Sequence, residues 1–292
     1  MLPEGGISIS LEHIQIGFIG AGRVGVSLGK YFTEKGRKIG GYYSLSPASA
    51  RWAAEFTKSK YYENLQQIIS DCDMILFTVP DDVISFVWEE AKPYISEKII
   101  AHCSGLHSSN IFSDIGVTNS FAYSIHPLMA VSNRENSWQE LSKALFTIEG
   151  DEKYLNKISE MFQKMGNRTR IISAENKIKY HTAAAVSSNY MTALFYMAQN
   201  LFEECGFTEV EARRELYALA KGNLDHILAD GCVKSLTGPL ERNDLATVRK
   251  HMDALLPEMR KVYTANASYL IQVAEKKNPN RDYVPMKELC SQ

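Results

Sequence analysis

The stretch from His13 to Lys35 constrains this chain more than any other. His13-Ile14-Gln15-Ile16-Gly17-Phe18-Ile19 is short and apolar and runs straight into glycine, the pattern of a buried strand. Gly20-Ala21-Gly22-Arg23-Val24-Gly25 follows directly, and Val24 to Lys35 then puts Val24, Leu28 and Phe32 on one helical face before Gly36 stops the helix. A G-x-G-x-x-G run alone is a weak signal, but between a strand and a helix it has the context its chemistry requires. Gly20 lets the chain turn sharply, Gly22 lets bare backbone approach a diphosphate, and Gly25 lets the helix pack close on the strand. The diphosphate would then meet a helix N-terminus, where N–H groups and the helix dipole favour negative charge. The whole loop (Gly20, Ala21, Gly22, Arg23, Val24 and Gly25) is therefore expected to bind a dinucleotide.

The same alternation continues downstream. Lys38 to Tyr43 reads as a strand, and Pro47 to Thr57 as a helix with Ser46 as N-cap and proline in its first turn. Leu65 to Ser70 and Asp82 to Lys92 read as helices; Met74 to Val79, Lys98 to His102, Phe121 to Ile125 and Leu145 to Glu149 read as strands. This predicts an α/β fold, an N-terminal Rossmann domain with a doubly wound, mainly parallel sheet covered on both faces. The alternation stops near Ile172. Glu175 to Cys205, Glu209 to Ala229, Leu245 to Leu255 and Glu258 to Lys277 are helical in period, so the C-terminal domain is expected to be all-helical. The expected divisions are a Rossmann domain over 12–172, a helical domain over 173–277, and flexible tails at 1–11 and 278–292. Tyr190 to Met197 is apolar nearly all round, which calls for burial on several sides and predicts a homodimer through the helical domain.

Composition excludes several classes. The chain has 292 residues, enough for two cores, and 45% of them are hydrophobic. A net charge of -2 with only short basic clusters argues against nucleic acid. The five cysteines are scattered and form no C-x-x-C pair, so neither a disulfide framework nor a metal site is expected. No basic-then-apolar leader and no apolar run of about 20 residues is present, so a cytoplasmic protein without a membrane segment is expected.

Two further readings concern the cofactor. NAD-binding loops pair with an acid about 20 residues on, at the end of the second strand. Here that stretch is Tyr42-Tyr43-Ser44-Leu45-Ser46, with no carboxylate to repel a 2′-phosphate. Ser44 and Ser46 can donate hydrogen bonds, the Pro47 helix contributes its N-terminus, and Arg23 is within reach of the adenosine end, which favours NADP while leaving NAD possible. Ligands of doubly wound sheets gather at the carboxyl ends of the strands. Val79-Pro80-Asp81, His102-Cys103-Ser104-Gly105 and Ser124-Ile125-His126-Pro127 fall at such ends, so Val79, Pro80 and Ser104 are expected beside the cofactor, with a small-molecule substrate in the same cleft.

At about 100° per residue, Lys177, His181, Ala184 and Ser188 stack on one face of the predicted long helix, and Asn189 points away toward a neighbouring surface or the cleft edge. His181 suits acid–base work near neutral pH. Arg242, after Thr237-Gly238-Pro239, either binds a substrate carboxylate or pairs with Asp244 to fix its loop.

Several motifs in order resemble a family that joins a Rossmann-like domain to a helical domain of unknown function, related to the 6-phosphogluconate dehydrogenase-like reductases, pyrroline-5-carboxylate reductase and prephenate dehydrogenase. They are Gly17 through Gly25, Val79-Pro80-Asp81-Asp82, Ser104-Gly105, His126-Pro127-Leu128, Ile148-Glu149-Gly150-Asp151, Lys177 through Asn189, and Leu236-Thr237-Gly238-Pro239 with Arg242-Asn243-Asp244. The resemblance runs from about residue 14 to 275. It departs at Leu45, where the family commonly has an arginine, and at Asn243, where it often has glycine. It implies a nicotinamide-dependent reductase or dehydrogenase fold and no particular substrate; the expected function is an NADP-dependent oxidoreductase acting on a small carbonyl, imine or hydroxy compound. It implies Lys177 as proton donor, and, through similarity to the His-Pro-Met motif of prephenate dehydrogenases, His126 as a contact to a reacting hydroxyl. Lys177, His181, His126, Ser188 and Asn189 are the candidate catalytic residues. The alternative is a Rossmann protein that senses NADP(H) or scaffolds a partner without turnover.

Overall fold

In a computed structural model of the chain, residues 9 and 11–291 are described. The chain divides into two compact units, 1–186 and 187–292. The first runs β1 (Gln15–Ile19), α1 (Arg23–Glu34), β2 (Lys38–Tyr43), α2 (Pro47–Thr57), β3 (Lys60–Tyr61), α3 (Leu65–Asp71), β4 (Met74–Phe77), α4 (Ile84–Ala91), β5 (Ile99–His102), β6 (Phe121–Leu128), β7 (Leu145–Gly150), α5 (Glu152–Lys164), β8 (Arg168–Ile171) and α6 (Lys177–Ala185). The described strands form one eight-stranded sheet in the order β3-β2-β1-β4-β5-β6-β7-β8. Neighbours are parallel except β6 and β7, which pair antiparallel from Tyr123↔Gly150 to Leu128↔Leu145. Strand order reverses between β1 and β4, which opens a crevice at the carboxyl ends of those two strands.

Both faces of the sheet are buried because its central strands are apolar apart from Gln15 at the start of β1 and His102 at the end of β5. Ile16 and Phe18 of β1, Leu76 of β4 and Ala101 of β5 pack with Leu28 and Phe32 of α1 and Phe162 of α5. The alternate residues Ile19, Ile75, Phe77 and Ile100 pack with Ile68 of α3 and Trp88 of α4. The two-residue period of a strand turns such a run into two cores rather than one.

Several elements differ from the sequence pattern. β8 reads Arg-Thr-Arg-Ile and lies at the sheet edge, where a strand needs no apolar face. β6 continues through His126-Pro127 to Leu128, because its pairing with β7 carries it past the parallel strands. α5 had no counterpart in the sequence reading, although Tyr154, Ile158, Met161 and Phe162 recur at helical spacing on its buried face and Asp151 caps it. The helix expected from Glu175 to Cys205 is interrupted by a π turn at Val186–Tyr190. The first unit reaches Val186, past the change of pattern near residue 173, and Lys177 at the start of α6 is buried in it.

The second unit contains α7 (Met191–Glu204), α8 (Glu209–Ser235), α9 (Pro239–Arg242), α10 (Leu245–Ala254), α11 (Pro257–Lys277) and α12 (Val284–Cys290). Thr208 and Glu211 close a capping box on α8, which is kinked at Gly231. The core joins Val248 and Met252 of α10, Ala267, Ile271 and Ala274 of α11, and Tyr283, Met286 and Leu289. The described part of the tail expected at 278–292 is therefore packed rather than flexible. Its apolar residues are few, but Met286 and Leu289 fall one turn apart and Tyr283 bonds to the Glu241 carbonyl. Most of the arm expected at 1–11 lies outside the described residues, although Leu11 is buried. On α7, Met191, Leu194 and Tyr196 stay exposed in the single chain, and Tyr190 just before it is exposed as well.

Docking of α12 predicts that Met286→Ala lowers the stability of the protein by about 2–4 kcal/mol, the cost of a core truncation. Urea unfolding followed by circular dichroism measures it, and an unchanged midpoint would mean the segment contributes no core.

Candidate active site

At the crevice between β1 and β4, Gly20 has φ 108, in the left-handed region open to glycine, and a Cβ there would lie 2.8 Å from the Thr78 carbonyl. A Cβ at Gly25 would lie 2.3 Å from Thr78 Oγ1, so this glycine sets the contact of α1 with the strand edge. The Thr78 hydroxyl donates to the Gly20 carbonyl at 2.9 Å and pins the loop. Gly22 is different: it is the N-cap of α1 with no side-chain cap, and a Cβ there would meet nothing within 4 Å. That open space lies in front of the first-turn N–H groups, which an α-helix leaves without internal partners. A cavity of about 470 Å³ opens beside the loop, walled by Gly20, Ala21, Gly22, Tyr43 to Ser46, Thr78 to Pro80 and residues of α4. The loop thus fits a diphosphate: bare backbone, a positive dipole end and room.

Of the residues expected at the cofactor, Gly20, Ala21, Gly22, Ser44, Ser46, Val79 and Pro80 line this cavity. Gly25 instead packs on Thr78, and Arg23 is exposed at the first position of α1, with the half-buried Val24 next to it. Ser46 Oγ accepts from the Ser49 N–H at 3.3 Å and Ser44 Oγ from the Ser46 N–H at 3.3 Å. Both hydroxyls accept from backbone, which leaves their own hydrogens to donate. Leu45 between them is 86% exposed. The cavity's acid, Glu90, comes from α4 rather than from the end of β2.

Ser104 belongs to a second cluster. Its hydroxyl donates to Asp81 Oδ2 at 2.6 Å and accepts from the Leu106 and His107 N–H groups at 3.1 and 3.0 Å. Its carbonyl accepts from Lys177 Nζ at 2.9 Å and from Ser124 Oγ at 3.2 Å. Lys177 Nζ also donates to Ser124 Oγ at 2.7 Å, and the residue is 1% exposed. Two of its three N–H donors are thereby held, and one remains. Because Asp81 directly follows the Val79-Pro80 wall, the bond from Ser104 to Asp81 joins this cluster to the cofactor cavity.

Two histidines meet over Gly105. A Cβ there would lie 2.7 Å from His181 Cδ2 and 2.9 Å from His126 Nε2, so a side chain at 105 would displace both rings. His126 Nδ1 lies 2.8 Å from the Tyr180 hydroxyl, with the two rings edge to face. Tyr180 and Ser124 were not singled out from sequence as members of the site. The available signal was spacing: Tyr180 falls three residues after Lys177, the same helical face, and Ser124 two residues before His126, the same strand face. His102 is fully buried, accepts from the Ser104 N–H at Nδ1 and reaches the Ser108 carbonyl with Nε2. That pair of partners fits the neutral Nε2–H ring. Ser188 and Asn189 sit in the π turn in the second unit, with Ser188 Oγ 2.9 Å from Asn189 Oδ1. A π turn does not advance by 100° per residue, so the arc expected from Lys177 through Ser188 ends before that turn. Arg242 precedes Asp244, whose carboxylate caps α10 through the Thr247 N–H at 3.0 Å.

Burial sets the protonation of the cluster. It draws Lys177 down to about 8, against the pull of the Glu149, Cys103 and Asp81 charges. It draws His126 down to about 3, with the neighbouring Lys177 and His181 charges adding to the effect, and His102 to about 3. It raises the Tyr180 hydroxyl, with a Thr147 hydrogen bond opposing. Glu149, across the β6–β7 ladder from Ser124, is tied off by the Ser109 N–H and hydroxyl at 2.7 Å each. At neutral pH the arrangement is a buried ammonium beside a neutral imidazole, able to donate protons and hydrogen bonds at one spot. Among the described residues no His, Cys, Asp and Glu cluster suits a metal ion.

Residues 2–127 match the model of a Rossmann-like domain, and residues 144–270 match the domain of unknown function DUF2520. The chain joins a Rossmann-like domain to DUF2520. The DUF2520 match contributes β7, α5, β8 and Lys177 to the first unit, so the candidate site draws on both matches. Among solved structures, protein TM1727 of Thermotoga maritima is 27% identical, with 90% of this chain and 99% of that one covered and a TM-score of 0.72. Protein BF3122 of Bacteroides fragilis is 19% identical over 90% of this chain and all of that one, with a TM-score of 0.74. The pyrroline carboxylate reductase of Plasmodium falciparum, solved with NADP bound, is 15% identical over 96% of this chain and 100% of that one, at a TM-score of 0.58. No curated protein matches the sequence.

Because Lys177 titrates near 8 here against an ordinary 10.5, its buried ammonium costs stability at every pH below about 8. The unfolded chain holds this proton up to about 10.5, so the cost is relieved as pH rises through that window. Lys177→Met should be more stable than the parent near pH 7, with the gap narrowing above pH 8 by at most about 1.4 kcal/mol per unit. Paired urea titrations at pH 7 and pH 9.5 test this, and a gap that stays constant would refute it.

Proposed function

We propose that the protein is an NADP-dependent oxidoreductase that moves hydride between the nicotinamide and a small carbonyl, imine or hydroxy compound. The observation that carries this reading is the buried Lys177 amine, bound to Ser104 and Ser124 and linked through Asp81 to the wall of a cavity whose floor is a glycine loop. A bound nicotinamide would supply or accept the hydride. The protein's part is to hold the dinucleotide by the Gly20–Gly25 backbone, to orient the reacting group, and to deliver a proton to the atom that gains negative charge. Lys177 has one N–H left for that atom, and a pKa drawn down toward neutrality makes the proton easier to give up. His126 and His181 stand against Gly105, the residue after the Ser104 whose carbonyl holds Lys177.

NADP rather than NAD is supported by the turn after β2, where Ser44 and Ser46 can donate to a 2′-phosphate and no acid stands at the end of β2. The Plasmodium falciparum neighbour, with its NADP, binds that cofactor on the same fold. A sensor without turnover would explain the glycine loop but gives no reason to bury an amine with no carboxylate in contact, which is costly.

Gly22→Ala separates fold from function. With nothing near its Cβ and φ at −81, the substitution should leave the unfolding midpoint unchanged. It should also weaken NADPH binding at least about tenfold, because the methyl group enters the space a diphosphate would occupy. Fluorescence titration reads the affinity. Equal affinity in parent and variant would remove the cofactor from this loop. In turnover, Lys177→Met should lower kcat by about 100-fold or more, the range of a lost general acid, with NADPH affinity retained.

We also propose a homodimer formed through the second unit. Tyr190 and Tyr196 around α7, and Tyr217, Leu219 and Leu228 of α8, are each more than 60% exposed, a large apolar load for a surface in water. Sedimentation at micromolar concentration should give the mass of two chains, and a monodisperse monomer would contradict the proposal.

A further inference from the structure

We infer that Tyr180 is a positioning residue that holds His126 as the Nε2–H tautomer and so aims a fixed hydrogen-bond donor at the reacting group. This inference rests on the redox reading for its consequence but not for its geometry. His126 Nδ1 lies 2.8 Å from the Tyr180 hydroxyl, and the rings meet edge to face at 84°. One proton must sit between those two atoms. The chemistry of the two groups decides which atom owns it. A phenolic hydroxyl is a stronger acid than the N–H of a neutral imidazole, and an imidazole nitrogen is a better acceptor than a phenolic oxygen. The Tyr180 hydroxyl is hydrogen-bonded to His126 Nδ1, and the Thr147 hydroxyl donates to the His126 carbonyl at 3.5 Å. The phenolic hydrogen therefore points at Nδ1. A neutral ring that accepts at Nδ1 carries its hydrogen on Nε2.

Nε2 is the atom turned toward Gly105, within 2.9 Å of where a side chain there would begin. Among the described residues it has no protein hydrogen-bond partner, so its hydrogen is available to a ligand. Beside it, Lys177 has one donor to spare. Asp81 and Glu149, the carboxylates nearest in the network, are held by Ser104 and Ser109. A site of donors recognises an acceptor. The reacting group it fits is the oxygen of a carbonyl, or of the alcohol the carbonyl becomes. A cationic imine carbon–nitrogen group fits poorly, because it brings a second positive charge next to the ammonium.

The test is nitrogen NMR of the full-length protein labelled with 15N-histidine and saturated with NADP, the His126 signals being identified by their loss in His126→Gln. The parent should show a protonated Nε2 and an unprotonated Nδ1 for His126. Tyr180→Phe, which keeps the ring and removes the donor, should convert this to a mixture of tautomers. A protonated Nδ1 in the parent would overturn the inference, and so would a Tyr180→Phe spectrum identical to the parent's. The reading needs no substrate. Failure of the redox proposal, seen as unchanged NADPH affinity in Gly22→Ala, is therefore distinguishable from failure of this one. With a carbonyl substrate, Tyr180→Phe should lower kcat about tenfold and leave the affinity for NADPH unchanged.

Discussion

The bond from Lys177 Nζ to the Ser104 carbonyl is the point at which the site is held together. It joins the first turn of α6 to the loop that leaves β5, and the companion bond to Ser124 adds β6. Three segments far apart in sequence are tied by one amine that is 1% exposed. The arrangement is not the one stability alone would favour. A buried ammonium gains most from a carboxylate in contact, and here the nearby carboxylates act on it only at longer range while serving serine and backbone donors. Two neutral acceptors satisfy the geometry of the amine without neutralising its charge. The result is a group whose proton is held less tightly than in water, which is the property a proton donor needs.

The same serine links this amine to the cavity beside the glycine loop. Ser104 carries Lys177 on its carbonyl and Asp81 on its hydroxyl, and Asp81 begins where the Val79-Pro80 wall ends. The turn is rigid because the Ser104 hydroxyl also accepts two backbone N–H groups downstream. A displacement of the glycine loop would reach the amine through Thr78, Asp81 and Ser104, each in a defined hydrogen bond.

Sequence patterns revealed this site unevenly, for physical reasons. The glycine loop was legible because strand, turn and helix each have a local signature, and so was the largely apolar parallel core. Lys177 and His181 were legible through helical spacing, and Lys177 and His126 through motifs that resemble those of related reductases and dehydrogenases. Ser124, Tyr180 and Glu149 were harder to place: spacing puts Tyr180 on the face of Lys177 and Ser124 on the face of His126, but the contacts they make depend on the pairing of β6 with β7 and the packing of α6, both long-range. Ser188 was placed with Lys177 because a regular helix was assumed, and the π turn at Val186–Tyr190 breaks that assumption without any glycine or proline to announce it. The helix over 284–290 was missed because three buried residues in a polar stretch fall below the density of a recognisable apolar face.

Gly105 shows how far the chemistry depends on space as well as charge. A side chain there would run into both His126 and His181, while Lys177 is bonded to the carbonyl of the preceding residue, Ser104. His126 cannot join Lys177 as a second cation there: burial and the neighbouring positive charge together keep its ring neutral down to about pH 3. Charge and neutral donor are thereby assigned to different atoms. In the proposed reaction the amine supplies the proton. The imidazole, unable to hold a second one, would keep a fixed direction, and direction is the contribution a neutral donor makes to a reaction in which negative charge grows on a single oxygen.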